Sequence, residues 1–260
     1  MSINGILSTG VAFIIRSYIQ NVGGVDEVGL YQAGFVIMST YVGMIMNAIA
    51  TDYYPRLAAI NKDVKKCRDA VSQQGEIGTM LLAPMLTVCL VFMPFVLHIL
   101  YSDQFLAANE YISWACLGML LRLAAWVISY MFVAKAESKL FIVNELLGNI
   151  YYVLLSILGY RYWGLQGIGA AFALNYIFYF IQVYLIARHR YQFRFSSSFI
   201  RCYGIQLALV VACLATVLLF DGIAKYAIGI MLISISCYLG FRGLNQRMDL
   251  TSVIKSKLHK

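Results

Sequence analysis

Three ionisable side chains, Arg16, Arg122 and Glu145, stand inside long apolar stretches. A charge in hydrocarbon costs at least ~2.5 kcal/mol on insertion scales, so such groups face a polar interior and are candidates for function. A guanidinium can grip a phosphate through two parallel N–H bonds. A carboxylate can pair with that guanidinium or take up a proton. Two readings compete. In one, an arginine pairs with Glu145 and fixes helix packing. In the other, the charges line a water-filled cavity that takes a polar or anionic substrate. Two cations and one acid cannot all pair off, which favours the cavity.

Each charge has polar company. Thr9 and Gln20 share the helical face of Arg16. Gln32, Ser39, Thr40, Gly43 and Asn47 form a second polar stripe. Ala115, Gly118, Ala125 and Ser129 surround Arg122 with small residues, and Glu145 sits with Gly148, Asn149 and Tyr152. Asn175 and Gln182 form a weaker pair further on. Any one amide is as well explained as interhelical glue, worth ~0.6 kcal/mol. Arg16, Gln20, Asn47, Arg122, Glu145, Asn149 and Tyr152 make the candidate substrate-binding set. His98 is a candidate proton relay or a packing residue, and Pro84 and Pro94 are candidate kinks in the third stretch. The six cysteines have no metal-ligand spacing and read as small apolar residues. No paired carboxylates or Ser/His/Asp arrangement point to an enzyme. No metal or cofactor is expected.

The elements that position these residues follow from composition. Of 260 residues, 61% are hydrophobic and 12% charged, against roughly 25% charged in a soluble domain. The mean hydropathy is +0.75. So little charge cannot clothe a globular surface, so the surplus needs lipid. A spanning helix takes ~20 apolar residues. Eight stretches qualify, near residues 4–22, 28–50, 77–101, 111–134, 140–160, 165–187, 199–220 and 223–243. Their runs are continuous rather than alternating, so the expected fold is all-α and polytopic. The third stretch is almost wholly apolar, whereas the first, second, fourth and fifth each have a hydrophilic side.

Charge sets the orientation. With residues 51–76 inside, sixteen Lys and Arg fall in inside loops and the tail, against two outside, Arg161 and Lys225. Cytoplasmic loops are rich in Lys and Arg, so both termini are expected in the cytoplasm. The net charge of +8 thus reports orientation, not nucleic acid. The first residues carry no basic n-region, so no cleavable signal is expected. Within TDYYPRLAAINKDVKKCRDAV, Leu57, Ile60, Val64, Cys67 and Val71 recur at helical spacing. This predicts an amphipathic interfacial helix over about 55–73, with Pro55 in its first turn and Asp52 as cap or partner of Arg56.

The segment TDYYPRLAAINKD resembles the stretch after the eighth helix of bacterial polysaccharide flippases of the O-antigen type. These belong to the multidrug/oligosaccharidyl-lipid/polysaccharide exporter superfamily. SQQGEIGTMLLAPM, HILYSDQF, WGLQGIGAAFALNY and VGLYQAG resemble it too, so the likeness covers about residues 5–195. It implies a MATE-like transporter of two six-helix lobes around a central cavity, with the first, second, fourth and fifth helices of a lobe nearest it. It implies carriage of undecaprenyl-pyrophosphate-linked oligosaccharide across the inner membrane by alternating access. Asp52, Tyr54, Pro55 and Arg56 would form its cytoplasmic gate. Residues 1–190 correspond to the second lobe, 191–243 to two additional helices, and 244–260 to a basic cytoplasmic tail. A first lobe is missing, so a fragment or a pair of half-transporters is expected. A multidrug/cation antiporter of the same superfamily and a membrane polysaccharide polymerase or glycosyltransferase are the alternatives. The first would want more acid in the cavity, and the second a larger extramembrane loop.

Overall fold

In hydrocarbon a backbone amide has no water to bond, so each apolar stretch must close its own hydrogen bonds as a helix. The structure, a computed structural model, describes residues 2–248. Its helices are α1 (Ser2–Val36), a π-helical segment (Ile37–Val42) leading into α2 (Gly43–Ala59), α3 (Val64–Leu100), a 3-10 turn (Asp103–Ala107), α4 (Ala108–Ala134), α5 (Ser138–Tyr191), α6 (Ser197–Leu219) and α7 (Gly222–Met248). Six helical stretches among the described residues are long and apolar enough to cross a membrane. Lys255, Lys257 and Lys260 of the expected basic tail lie outside the described residues.

Two of the six are too long for one crossing. α5 has 54 residues. At ~1.5 Å per residue it would reach ~80 Å, against a hydrocarbon core of ~30 Å. It turns instead at Trp163 and Gly164, where Gly164 takes φ 58° and ψ −140°, a backbone that only glycine adopts freely. The halves run antiparallel. Gln182 Nε2 donates to Asn144 Oδ1 at 2.5 Å, Tyr179 packs on Gly148, Phe172 meets the Tyr152 ring edge-on at 5.7 Å, and Gly159 abuts Gly167. Partner numbers fall on one side as they rise on the other. α1 is broken likewise at Gly24, φ 87° and ψ −179°. Beyond that break Phe35 lies under the Arg16 guanidinium. The eight sequence-predicted stretches therefore map onto six helical runs, two of them folded back.

α4 is the central pillar: Ala115, Cys116, Leu120, Val127 and Ile128 are all fully buried. α3 forms the back, with α6 and α7 laid against it. Gly229 packs on Val91, Gly240 on the Met80 carbonyl, and Cys213 Sγ donates to the Thr87 carbonyl at 3.7 Å. A buried ion pair joins Glu76 of α3 to Arg247 of α7, and the Ser196 hydroxyl donates to the same carboxylate at 3.3 Å. All six cysteines are free thiols, Cys237 alone being exposed.

The expected interfacial helix over 55–73 is not one element. α2 carries Asp52 to Ala59 as the end of the helix that starts beyond Gly24, and Pro55 sits inside it rather than in a first turn. The chain then turns over 60–63. Asp63 caps α3 by accepting from the Lys66 amide at 3.0 Å, which with the Lys66 charge holds its carboxyl below the usual carboxylate range. Leu57, Cys67 and Val71 are buried, so their shared face seals the bundle rather than dipping into lipid. The spacing was helical, but the buried seam belongs to two helices that meet at a turn. Asp52 and Arg56 form no ion pair among the described residues. Arg56 Nη2 instead donates to Gln73 Oε1 at 3.3 Å. Arg56 and Gln73, from two separate quoted motifs, thereby meet.

A side chain at residue 167 would drive its Cβ into the backbone of Gly159, whereas one at Gly10 meets nothing within 4 Å. Gly167→Val is expected to destabilise the protein by ~3 kcal/mol, the upper end of overpacking. Gly10→Val is expected to stay near wild type, and thermal unfolding in detergent compares the two. Arg247→Ala leaves Glu76 buried and unpaired and is expected to cost ~3 kcal/mol, the low end for a broken buried pair because Arg247 is partly open to the surface. Adding Glu76→Gln should recover most of that loss in the same assay.

Candidate functional site

The polar side chains converge on one cavity of about 890 Å³. Its walls come from α1 (Gly5, Ser8), α2 (Asn47, Thr51, Tyr54, Pro55), α4 (Arg122, Trp126, Ser129, Tyr130) and both halves of α5 (Glu145, Asn149, Asn175, Tyr176, Tyr179). No described residue of α3, α6 or α7 lines it. A second space of about 290 Å³ shares Asn47, Arg122, Trp126, Asn149, Asn175 and Tyr176 and continues inward past Ser39, Gly43, Tyr31 and Tyr152. The larger space lies toward the end of the bundle that holds Arg56, Lys135 and Arg190. There Lys135 Nζ donates to the Asn61 carbonyl at 2.5 Å and Arg190 Nε to Glu137 at 3.0 Å.

Helix pitch explains the convergence. On α4, Trp126 follows Arg122 by four residues, and Ser129 and Tyr130 follow Trp126 by three and four; on α5, Glu145, Asn149 and Tyr152 are spaced by four and three. The return half of α5 then places Tyr179 against Glu145 and Tyr176 against Arg122. The Tyr179 hydroxyl donates to Glu145 Oε1 and lies 3.1 Å from Ser129 Oγ. Ser129 itself donates to the Ala125 carbonyl at 3.1 Å.

Arg122 lies within electrostatic reach of Glu145 but makes no ion pair with it among the described residues. Its guanidinium sits 5.7 Å from the centre of the Tyr176 ring, and its Nη1 donates to Met119 Sδ at 3.9 Å. The carboxylate is occupied by a phenol and the cation is left facing the cavity. That arrangement can receive an anion at Arg122 and hydroxyl donors at Glu145. No group of three His, Cys, Asp or Glu among the described residues could hold a metal ion.

The candidate residues separate into two groups. Asn47, Tyr54, Pro55, Arg122, Glu145 and Asn149 line the larger space, and Tyr152 the smaller one. Arg16 and Gln20 line neither. Arg16 lies 6.0 Å from the centre of the Phe35 ring with its Nε buried and unpaired, and Gln20 is exposed. Asp52 and Arg56 flank the mouth without lining it. His98 is remote from the cavity, bonded through Nδ1 to Asp103 at 2.5 Å on the exposed opposite end. Near it in kind, Tyr160 donates to Glu27 at 2.5 Å and ties the two hairpins together. The third stretch stays out of the cavity, as its apolar sequence implies. The sixth contributes more than its sequence suggested: beside Asn175, which the sequence marked, Tyr176 and Tyr179 were hidden because tyrosine in an apolar run looks like core until its neighbour is known.

The site can now be set beside known proteins. Residues 3–110 match the model of a family described as polysaccharide biosynthesis proteins. Over 173 residues the chain is 27% identical to the lipid III flippase of Escherichia coli, a stretch covering 64% of this chain and 40% of that protein. The lipid III flippase of Shigella flexneri matches equally. The fold superposes on a solved structure of the lipid II flippase MurJ in an inward closed conformation, with a TM-score of 0.65 and 15% identity over 93% of this chain and 51% of that one. The chain thus spans about half or less of the length of the proteins it matches. Family model, sequence relatives and fold agree with the resemblance carried by the Asp-Tyr-Tyr-Pro-Arg segment: the chain is similar to a polysaccharide biosynthesis family over its first part, to lipid III flippases in sequence and to a lipid II flippase in fold.

Proposed function

We propose that this chain is one lobe, with two added helices, of a transporter that flips polyprenyl-pyrophosphate-linked oligosaccharide across the bacterial inner membrane for surface polysaccharide of the O-antigen type. The observation that carries this reading is the Arg122 guanidinium, facing a cavity of about 890 Å³ without an ion-pair partner among the described residues. A guanidinium free to make two parallel bonds matches a pyrophosphate oxygen pair. The flippase names of the relatives support a lipid-linked substrate.

Residues 1–190 form the lobe and 191–243 the added helices in this reading. The basic loops lie in the cytoplasm, so both termini do too and the eight sequence-predicted stretches each cross once. A second lobe, either a missing first half or a second half-transporter, closes the side of the cavity that α1, α2, α4 and α5 leave unwalled. Asn47, Asn149 and Tyr152 face the sugar. Arg16 and Gln20, outside the present cavity, meet the substrate in another state of the alternating cycle. Asp52, Tyr54, Pro55 and Arg56 form the rim through which it enters. The polyprenyl tail stays in lipid, since moving it into water would cost ~0.8 kcal/mol per methylene.

Arg122→Ala, placed in the complete transporter, is expected to abolish surface polysaccharide at an unchanged membrane level, read by polysaccharide gels and immunoblot. Normal polysaccharide would remove the anion-anchor assignment. Tyr179→Phe keeps the ring but frees Glu145 to pair with Arg122, and flipping of lipid-linked sugar in vesicles is expected to fall about tenfold, or ~1.4 kcal/mol. Adding Glu145→Gln should restore the rate, since the competing carboxylate is gone.

A further inference from the structure

One wall of the cavity is aromatic, and an anion does not need it. Trp126 and Tyr130 pack at 4.6 Å between ring centres, and Tyr54 meets Tyr130 edge-on at 6.3 Å. All three line the larger space. Tyr53 braces them from behind: its ring lies 6.0 Å from Trp126 and 5.8 Å from Tyr130, and its hydroxyl is fixed to the Val127 carbonyl at 2.8 Å. The platform is therefore rigid, and Tyr54 is 41% exposed on its outer side.

The same cavity holds acceptors. Asn175 is only 5% exposed, yet its Oδ1 has no hydrogen-bond partner and the residue lines both connected spaces. A buried, unpaired amide oxygen costs the fold unless something brings a donor to it. The Glu145 carboxylate adds further acceptor capacity beside it. An occupant must therefore have an apolar face for the rings and hydrogen-bond donors on its edge. An alkyl chain leaves Asn175 unsatisfied. A bare phosphate, which Arg122 can hold, brings no donor to Asn175 and has no use for the rings. A pyranose meets both demands: its axial C–H bonds carry slight positive charge toward the negative ring faces, and its hydroxyl or acetamido N–H groups donate.

We propose that Trp126, Tyr130 and Tyr54, with Asn175 and Glu145 as acceptors, form a carbohydrate subsite that holds a neutral sugar ring beside the anion position at Arg122. The proposal deepens the flippase reading and rests on it for the identity of the ligand, but the sugar subsite and the anion position are separately measurable. It also assigns specificity: the aromatic wall selects for the sugar, while Arg122 serves any pyrophosphate carrier.

The test uses the full chain in nanodiscs with Trp114→Phe and Trp163→Phe, so that Trp126 is the sole indole. The probes are chitobiose, maltose, inorganic pyrophosphate and tetraphenylphosphonium. At least one disaccharide should give a saturable change in Trp126 emission. Asn175→Leu should weaken that binding at least tenfold. Tyr54→Ala, at an exposed position that cannot unfold the core, should weaken it about fivefold, and Tyr54→Phe should retain it. No saturable response to either sugar overturns the subsite. So does a response that Asn175→Leu and Tyr54→Ala leave unchanged. A response to tetraphenylphosphonium alone also overturns it and assigns the wall to cations. Sugar binding without pyrophosphate binding strikes the Arg122 assignment and leaves the subsite standing; the reverse result strikes the subsite alone.

Discussion

The hydroxyl of Tyr179 engages Glu145, and the behaviour of the cavity depends on that bond. A carboxylate in a low-dielectric bundle draws any nearby cation strongly. Arg122 is the nearby cation. Without the phenol, the two charges would neutralise each other across the cavity and leave it a packed, inert seam. With it, carboxylate and guanidinium stay apart in one cavity and the guanidinium is left available to a ligand. The arrangement needs three helical passes at once: α4 brings Arg122 and Ser129, the first half of α5 brings Glu145, and its return half brings Tyr179.

The return of α5 is therefore as much a part of the site as the charges. It is set by a left-handed glycine at the turn and by the close approach of Gly159 to Gly167. Small residues let helices in lipid approach closely, where dispersion and short hydrogen bonds replace the missing hydrophobic drive. The same logic places Gly118 under Phe172 and Gly169 against the Tyr111 carbonyl, so that α4 and α5 share one tight seam. Behind it, α3 carries α6 and α7 through the Glu76–Arg247 pair and an aromatic run from Phe195 through Phe199 to Tyr203. The back of the bundle is thereby tied by packing and charge together. The cavity side is lined by side chains that end in polar groups.

Polar ties also sit at both ends. At one end Asn61 Nδ2 donates to the Ala134 carbonyl at 3.2 Å, beside Lys135 on Asn61 and Arg56 on Gln73. At the other, Glu27–Tyr160 and His98–Asp103 close the short turns. Such bonds hold helix ends in register where water competes with them. They contribute modestly each, about 1 kcal/mol for a neutral pair.

Much of this was legible in residue order. Hydrophobic runs of spanning length, continuous rather than alternating, and too little charge to cover a surface determined an all-helical bundle, because a backbone in lipid must close its own hydrogen bonds. Arg122, Glu145, Asn47 and Asn149 stood out for the same reason: a polar group in an apolar run must face something polar. What only the tertiary structure decided was the pairing. Tyr130, Tyr176, Tyr179 and Trp126 carried no signal in the sequence until the helices brought them around one space. The basic stretch at 55–73 has helical spacing, yet it divides at a turn, because Asp63 caps a new helix and the apolar face is claimed by the bundle. Arg16 carries the same charge as Arg122 and lies outside the cavity, since the fold of α1 at Gly24 turns it toward Phe35. Periodicity tells a helix which side is polar; only the neighbour that arrives from elsewhere in the chain tells that side what it faces.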